Sequence, residues 1–570
     1  MTFRPRLKEA LLALYLLTAA PAAAARAASL GLSPGLLLFL GLEALLVACL
    51  ILGAYARGIG VRAAWALLLV PGSVFLQTFE TVTGQFLTYD TFITMVYSTG
   101  DTGNAVSQFT RSASFAVVAG LLLLGGILLK PRRRPPFPSA AVAAAPLAGA
   151  LLLAFVLYAR GGEGGRGLPP SFTALAYAGL AGWEAAADRS GPREPVRLRP
   201  RGPPPQGDLV FIIDESVVAT YLDIDNPAGV RSGLAEPRPG VAVHNFGYAA
   251  SVTNCSWGSN LTLRYGGTRT GYRRINATMP SLFAYARRAG FHTVYIDAQR
   301  PDPAANPLVA GELDGVERTI SLGRVPVVDR DLTAAALIAR YAHDGRNDFI
   351  LINKVGAHFP VHDKYPDAFL RYRPALPRGH FLDISDTGSR AGFASTREEW
   401  REYRNAYRNT LTWNVGAFFD RLLGGGIGKA TIVYTSDHGQ NLHERGGRGL
   451  NTHCNPEPVM EEGLVPLVIL NATDAGPRDW TKAAALNRNR ASHYAIFPTL
   501  LTLMGYDERE VAALYGTPLD RPVREDFAFN ALFNARLGRA PVWKKIDLAR
   551  IASPSAGDGP ATALAGGGSP

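Results

Sequence analysis

The sequence predicts a chain in two parts: an N-terminal α-helical transmembrane bundle, then an α/β domain with a mostly parallel sheet. Three observations carry this. Five apolar runs crowd the first 160 residues, at roughly 9–25, 35–55, 62–79, 113–129 and 139–158, each near the ~20 residues that cross a bilayer. From Asp208 onward, short β-branched runs alternate with helical stretches, the pattern of βαβ units. The ends of those runs gather acids, histidines and small hydroxyl residues, and ligands collect at the carboxyl edge of a parallel sheet.

The chain has 570 residues and a net charge of +11. That length exceeds one ordinary domain, and the charge favours anionic partners such as phosphate-bearing lipids. Nucleic acid is disfavoured as a partner, because many basic residues of the front half sit between apolar runs, where they set topology. A monomer is expected.

The first apolar run is the weakest of the five. Arg4, Arg6 and Lys8 precede LLALYLLTAA and PAAAA, which read either as a span or as a signal peptide with a small-residue cleavage site. Arg57 and Arg62 lie between runs two and three, and Lys130, Arg132, Arg133 and Arg134 between runs four and five. The opposite loops hold little beyond Arg26 and Arg111. By the positive-inside rule the N-terminus is cytoplasmic and everything after the fifth run is outside. Residues 1–160 are therefore expected to form a five-span membrane domain. The loop 80–110 mixes aromatic, aliphatic and polar residues and reads as an interfacial element or a plain loop.

Residues 161–207 open with GGEGGRGLPP and close with RPRGPPPQ, the punctuation of a linker, with one helix from about 172 to 188. The second domain is expected over 208–550. Strands fall at 209–213, 293–296, 349–353 and 430–435, with helices at about 280–289, 334–343 and 397–423. Residues 551–570, rich in Ser, Pro, Gly and Ala, have no basis for a core and are expected to be disordered.

Four clusters at strand ends carry the candidate chemistry. Asp214-Glu215 follows LVFII; a helix N-cap is the structural alternative for Asp214. Next comes the small polar loop 253–260, TNCSWGSN, and then 355–360, VGAHFP, with His358. The fourth is Ser436-Asp437-His438-Gly439, with His453 fifteen residues beyond His438. Carboxylate oxygen and imidazole nitrogen together suit zinc, although the local pattern alone also fits a polar surface turn. Of three cysteines, Cys49 lies in an apolar run, while Cys255 and Cys454 flank candidate residues.

These residues carry a resemblance. Residues 208–506 are similar to the alkaline phosphatase/sulfatase superfamily, and with the five runs the chain resembles membrane-anchored phosphoethanolamine transferases that decorate lipid A and other envelope glycans. The family's first metal-binding Glu is matched by Glu215, its Ser-Asp-His-Gly by Ser436 to Gly439, and its His-x-x-Pro by His453 to Pro456. Its Gly-Ser-His-Gly-Pro segment resembles Gly356 to Pro360, which makes His358 the matching histidine. The chain departs from the pattern at three places. The family's threonine nucleophile sits in a Ser-Cys-Gly-Thr loop, here Asn-Cys-Ser-Trp-Gly, so Ser256 matches by spacing and Thr253 is the runner-up. Asp214 replaces a Gly, and Gln440 replaces the Glu after the signature. No Cys/Ser-x-Pro-x-Arg motif surrounds Cys255 or Ser256, which argues against a formylglycine sulfatase.

What the resemblance implies is a Zn²⁺ ion held by Glu215 (with Asp214 as the alternative), Asp437, His438 and the Ser256 oxygen. Ser256 would be the nucleophile, and His358 and His453 would offset phosphoryl charge. The donor would be a phosphatidylethanolamine-type lipid, the acceptor lipid A or an envelope glycan, the membrane the inner (cytoplasmic) membrane of a bacterium, and the catalytic domain periplasmic. Alternatives are a membrane-tethered phosphodiesterase or phosphatase, and a phosphoglycerol transferase. A disulfide between Cys255 and Cys454 is an open question: their neighbours Ser256 and His453 would meet at one metal.

Overall fold

The computed structural model describes residues 7–97, 102–132, 135–187, 191–201, 206–300, 308–309, 311–377, 396–446, 451–473 and 478–551. The expected disordered tail lies outside them, apart from its first residue. Two compact units result: Met1–Arg189 with Arg448–Asn451 and Asn534–Pro541, and Ser190–Gly447 with Thr452–Phe533 and Val542–Pro570.

The first unit is helical. Its elements are α1 (Leu7–Leu30), α2 (Pro34–Ala54), α3 (Ile59–Thr83), α4 (Tyr89–Tyr97), α5 (Thr102–Leu128), α6 (Ser139–Ala159) and α7 (Pro170–Ala187). Among the described residues, α1, α2, α3 and α6 are long and apolar enough to cross a membrane, and α5 carries the shorter apolar stretch Ala113–Leu128. Leu46, Leu69, Leu123 and Leu153 form the shared core. At the α2–α6 contact a Cβ on Gly53 would sit 2.2 Å from the Pro146 ring, so only glycine lets these helices close. Lys8 Nζ donates to the carbonyls of Gly126 and Leu129 at 2.6 and 2.9 Å, capping α5 with a cation as its dipole favours.

Two expectations change here. The loop 80–110 is not plain, because α4 forms within it, and its Asp90 accepts from Arg539 at 2.9 Å. The helix expected in the linker forms as α7, but it does not bridge. Phe172, Ala176 and Tyr177 are buried in the same core as the spanning helices, because its sequence, PSFTALAYAGLAGW, is apolar on most sides.

The second unit is built on an eight-stranded sheet of order β4-β3-β5-β1-β6-β7-β2-β8. The strands are β1 (Leu209–Asp214), β2 (Val241–Ala250), β3 (His292–Asp297), β4 (Arg318–Ser321), β5 (Asp348–Asn353), β6 (Thr431–Ser436), β7 (Leu464–Ala472) and β8 (Ala491–Ser492). Strands β4, β3, β5, β1 and β6 are parallel neighbours, and β7 runs antiparallel to both β6 and β2. The central β1 is buried at all six positions, as a strand covered on both faces must be. The long helix expected at 397–423 is interrupted by a π-helical turn, Thr412–Ala417, between Arg397–Leu411 and Phe418–Leu423. That turn aims Asn414 at the sheet edge, where its amide donates to Gly356 O at 2.6 Å. Interruptions of this kind recur at functional sites.

Candidate metal centre

Sheet register assembles the site. The parallel β1/β6 ladder pairs Asp214 with Ser436, so the next residues, Glu215 and Asp437, leave the sheet side by side. His438 follows directly. The β2 chain then runs through a loop into α8 (Ser256–Tyr265), which begins with Ser256. One ligand atom each from Glu215, Asp437 and His438 lies within 4.8 Å of the others, and all three residues are buried.

Ser256 Oγ sits against this group. It donates to Glu215 Oε1 at 3.1 Å and lies 3.0 Å from His438 Nε2. His438 Nε2 is 3.5 Å from Glu215 Oε1 and 3.6 Å from Asp437 Oδ2. The other oxygens are spoken for: Asp437 Oδ1 accepts the backbone N–H groups of Ser216 and His438 at 3.0 and 2.7 Å. His438 Nδ1 donates to Gly439 O at 2.6 Å, which leaves Nε2 as the nitrogen that could take a metal.

The remaining candidates fall in different places. Asp214 does not join the group: its Oδ2 accepts from Lys354 Nζ at 2.7 Å and from the Tyr434 hydroxyl at 3.1 Å. The His453 ring stacks on His438 with centroids 4.6 Å apart. His358 lies near enough for its charge to act on Glu215 and His453, and its Nδ1 is 2.5 Å from Phe359 O. Thr253 turns away, with its hydroxyl 3.4 Å from Asn254 Oδ1. Gln440 donates to Ala357 O at 3.1 Å, binding the His358 turn to the signature loop. Cys255 and Cys454 are disulfide-bonded, with Cα atoms 4.8 Å apart, so the open question is answered and Ser256 and His453 are tethered through their neighbours.

Two residues of the site went unmarked in the sequence, and a third, Asn260, stood in the candidate loop 253–260 without a role. Gln299 Nε2 donates to Glu215 Oε2 at 3.2 Å and to Lys354 O at 2.7 Å, turning Oε2 away and presenting Oε1. Lys354 is fully buried and also donates to Asn414 O at 2.6 Å. Asn260 Nδ2 lies 3.4 Å from Asp437 Oδ2. A rule that inspected every strand end would have reached Gln299 after β3 and Lys354 after β5.

Backbone geometry holds the parts close. Ser216 has φ 62°, a left-handed conformation that non-glycine residues keep only when surroundings over-determine it. Gly356 has φ +52°, and a Cβ there would lie 2.2 Å from Asp214 Oδ1 and 2.7 Å from the Glu215 nitrogen. No side chain fits.

The electrostatics suit a cation. Burial and the Glu215 charge push the Asp437 carboxyl up to about 8. Burial also works against charge on Glu215, but the hydrogen bond and charge of His438 outweigh it and hold that carboxyl well below the usual range. For His438, burial opposes protonation, yet Asp437 and Glu215 lift the imidazole to about 9. Burial and the His438 charge push His453 down to about 3. With Asp437 and His438 both raised, the group retains protons near neutral pH, and metal binding releases such protons. Two carboxylates, one imidazole and one hydroxyl make four hard or borderline donors, a set that fits tetrahedral zinc.

A family model described as Sulfatase matches residues 209–506. The chain is similar in fold to the integral membrane lipooligosaccharide phosphoethanolamine transferase A of Neisseria meningitidis, at 18% identity and a TM-score of 0.57, over 80% of this chain and 87% of that one. It is also similar to the C-terminal periplasmic domain of EptC from Escherichia coli, in complex with zinc, at 14% identity and a TM-score of 0.47, over 62% and 96% of the two chains. The soluble domain of the Neisseria meningitidis enzyme aligns at 20% identity and a TM-score of 0.43, over 59% and 100%. No curated protein matches by sequence.

Proposed function

Because this chain belongs to the sulfatase family, we propose that it is a zinc-dependent, membrane-anchored phosphoethanolamine transferase. Its donor is a phosphatidylethanolamine-type lipid, and its acceptor is lipid A or another envelope glycan. The observation that carries the reading is the Ser256 hydroxyl, 3.1 Å from Glu215 Oε1 and 3.0 Å from His438 Nε2 at the start of a helix. The likeness in fold to an integral membrane protein over 80% of the chain supports the same two-part architecture. The basic residues Arg57, Arg62, Lys130 and Arg132 beside apolar runs support a catalytic unit outside the cytoplasmic membrane.

Glu215, Asp437, His438 and the Ser256 oxygen would hold the zinc, which supplies Lewis-acid activation of a hydroxyl and neutralisation of phosphoryl charge. The Ser256 oxygen bonds to phosphorus as its proton passes to the neighbouring carboxylate of Glu215, and the diacylglycerol oxygen leaves with the bonding pair and takes up a proton from solvent. Ser256 opens α8, whose N-terminal dipole favours the anionic phosphoester. His358 and His453 hydrogen-bond the equatorial oxygens as charge builds there. The acceptor oxygen then displaces Ser256, and the acceptor proton is lost to solvent or a neighbouring imidazole. Gln299 keeps Glu215 Oε1 directed at the serine throughout.

The test uses the full chain in micelles, loaded with zinc, and phosphatidylethanolamine labelled in its head group. Release that depends on an added glycolipid acceptor, with label on that acceptor, supports the transferase. Equal release into water without acceptor makes it a phosphodiesterase instead. Transfer from phosphatidylglycerol in preference to phosphatidylethanolamine makes it a phosphoglycerol transferase.

A further inference from the structure

Glu462 is fully buried, and the chemistry above gives it no part. It stands in the turn Met460–Gly463, two residues before β7. A carboxylate sealed in this way needs a cation or several donors, and no ion pair among the described residues engages it. Its oxygens take four N–H groups instead. Oε2 accepts from Asn254 Nδ2 at 2.9 Å and from the Asn455 backbone at 3.3 Å. Oε1 accepts from Asn455 Nδ2 at 3.0 Å and from the Val459 backbone at 3.1 Å. The Glu462 carbonyl accepts the Gly439 N–H at 3.0 Å.

These partners belong to three loops of the candidate centre. Asn254 lies two residues before Ser256, Asn455 two residues after His453, and Gly439 directly after His438. Asn254 and Asn455 are also the chain neighbours of the two bridged cysteines. The two loops meet through more than sulfur: Asn254 Nδ2 donates to Asn455 O at 3.1 Å, and the Cys454 N–H donates to Asn254 O at 2.9 Å. Cys454 has φ 55°, which a non-glycine residue keeps only where its neighbours over-determine it. The signature loop packs closely on the same turn, for a Cβ on Gly439 would lie 2.1 Å from Glu461 O. One side chain thus reaches the Ser256 and His453 loops, while its backbone holds the loop of Asp437 and His438.

We propose that Glu462 is a positioning residue that pairs the Ser256 and His453 loops, so that the Cys255–Cys454 bridge locks an arrangement the carboxylate already holds. A bridge by itself fixes one separation and leaves rotation about it. Two charge-assisted bonds to each carboxylate oxygen also fix direction. Burial raises this carboxyl to about 7, so the ionised form that takes all four bonds prevails above that pH. Glu462 acts through Asn254 and Asn455. This deepens the transferase reading, and rests on it for the catalytic consequence alone.

Pairing of the loops can be read apart from turnover. The full chain in micelles at pH 8.5 is equilibrated with reduced and oxidised glutathione. Each oxidised glutathione takes two electrons and two protons from the Cys255 and Cys454 thiols, leaving one bridge and two reduced glutathiones. Alkylation and mass spectrometry give the bridged fraction. Glu462→Gln keeps the size of the side chain but sets an NH₂ group against two of the four donors. It should lower the equilibrium constant for the bridge ~10-fold or more. Asn254→Ala should lower it as well, and the double variant should fall short of the product of the two, because both act on one network. An equal constant in parent and Glu462→Gln overturns the proposal. Effects that multiply in the double variant overturn it too, since they would come from general loosening. In transfer assays Glu462→Gln should lower kcat ~10-fold and leave the KM for donor lipid unchanged, and an unchanged kcat overturns the catalytic part. If the bridge shifts as expected while the parent shows no transfer, the pairing role stands and the transferase reading falls.

Discussion

Lys354 and Asp214 form an ion pair of 2.7 Å with both side chains sealed from solvent. It lies behind the candidate metal centre, one residue from Glu215. The lysine also reaches Asn414 O, and its ammonium lies 4.1 Å from the Phe418 ring centroid. Asp214 in turn accepts the Glu215 N–H at 3.0 Å, so the pair fixes the turn on which Glu215 stands.

Removing one partner strands the other. Lys354→Met should cost ~3–5 kcal/mol, because it leaves a buried carboxylate without its cation. Lys354→Met with Asp214→Asn should recover part of that, since the amide oxygen still accepts from Tyr434, while Asp331, 3.8 Å from Lys354 Nζ, keeps its buried carboxyl. Thermal unfolding of the full chain in micelles, compared across the single and double variants, reads the difference. A double variant no more stable than the single would mean the pair is not what holds this turn.

Gln299 is the next residue to probe. Its amide donates to Glu215 Oε2 at 3.2 Å, and partners of this kind typically change metal affinity 10–100-fold. Gln299→Leu should weaken zinc binding by about that factor while Asp437→Asn abolishes stoichiometric metal. Competition against a chelator of known affinity measures both. Unchanged affinity in Gln299→Leu would leave it a packing residue.

Some of this was legible in the sequence. The alternation after Asp208 announced parallel strands, and β1, β3, β5 and β6 form where apolar β-branched runs stand. The antiparallel β7 and its partner β2 were harder: β7 is buried at all nine positions, so no alternation marks it, and β2 is bulged between Asn245 and Tyr248. Adjacent acids were ambiguous for a physical reason. Asp214 and Glu215 are chemical equivalents until Lys354, 140 residues away, claims one of them. Distance in sequence also hides Gln299, 84 residues from the carboxylate it orients. The α7 segment read as a linker because Gly and Pro bracket it, whereas its apolar faces pack among helices.

A pH effect is expected at the opposite edge of the sheet from the metal centre. Asp208 is 6% exposed, and burial, with the charges of Asp348 and Asp344, raises its carboxyl to about 6. The unfolded chain gives up that proton near ~3.9, so between those values the folded state binds more protons. Stability should therefore fall as pH rises from about 4 to about 6 and level off above. Asp208→Asn keeps the acceptor for the Asp348 N–H, now 2.8 Å away, and removes the charge. It should be more stable than the parent at pH 7.5, by no more than ~3 kcal/mol, and equal to it near pH 4. Melting temperatures at the two pH values decide this. A gain of equal size at both would assign the effect to packing.

The nucleophile is the sharpest test. Ser256 Oγ touches both Glu215 and His438, whereas the Thr253 hydroxyl meets only Asn254 among the hydrogen bonds of the described residues. The Cys255–Cys454 bridge holds the loop before the serine, so the backbone should survive loss of one hydroxyl. Ser256→Ala removes hydrogen bonds worth ~1 kcal/mol each and should melt within a few degrees of the parent. Its turnover should fall by ~10³-fold or more, because the group that makes the covalent bond is gone. Ser256→Thr keeps a hydroxyl at the same place and should retain part of the activity. Mass spectrometry of protein trapped with donor lipid should find the added phosphoethanolamine on the peptide containing Ser256, and none in Ser256→Ala. An adduct on Thr253, or full transfer in Ser256→Ala, would move the nucleophile off α8.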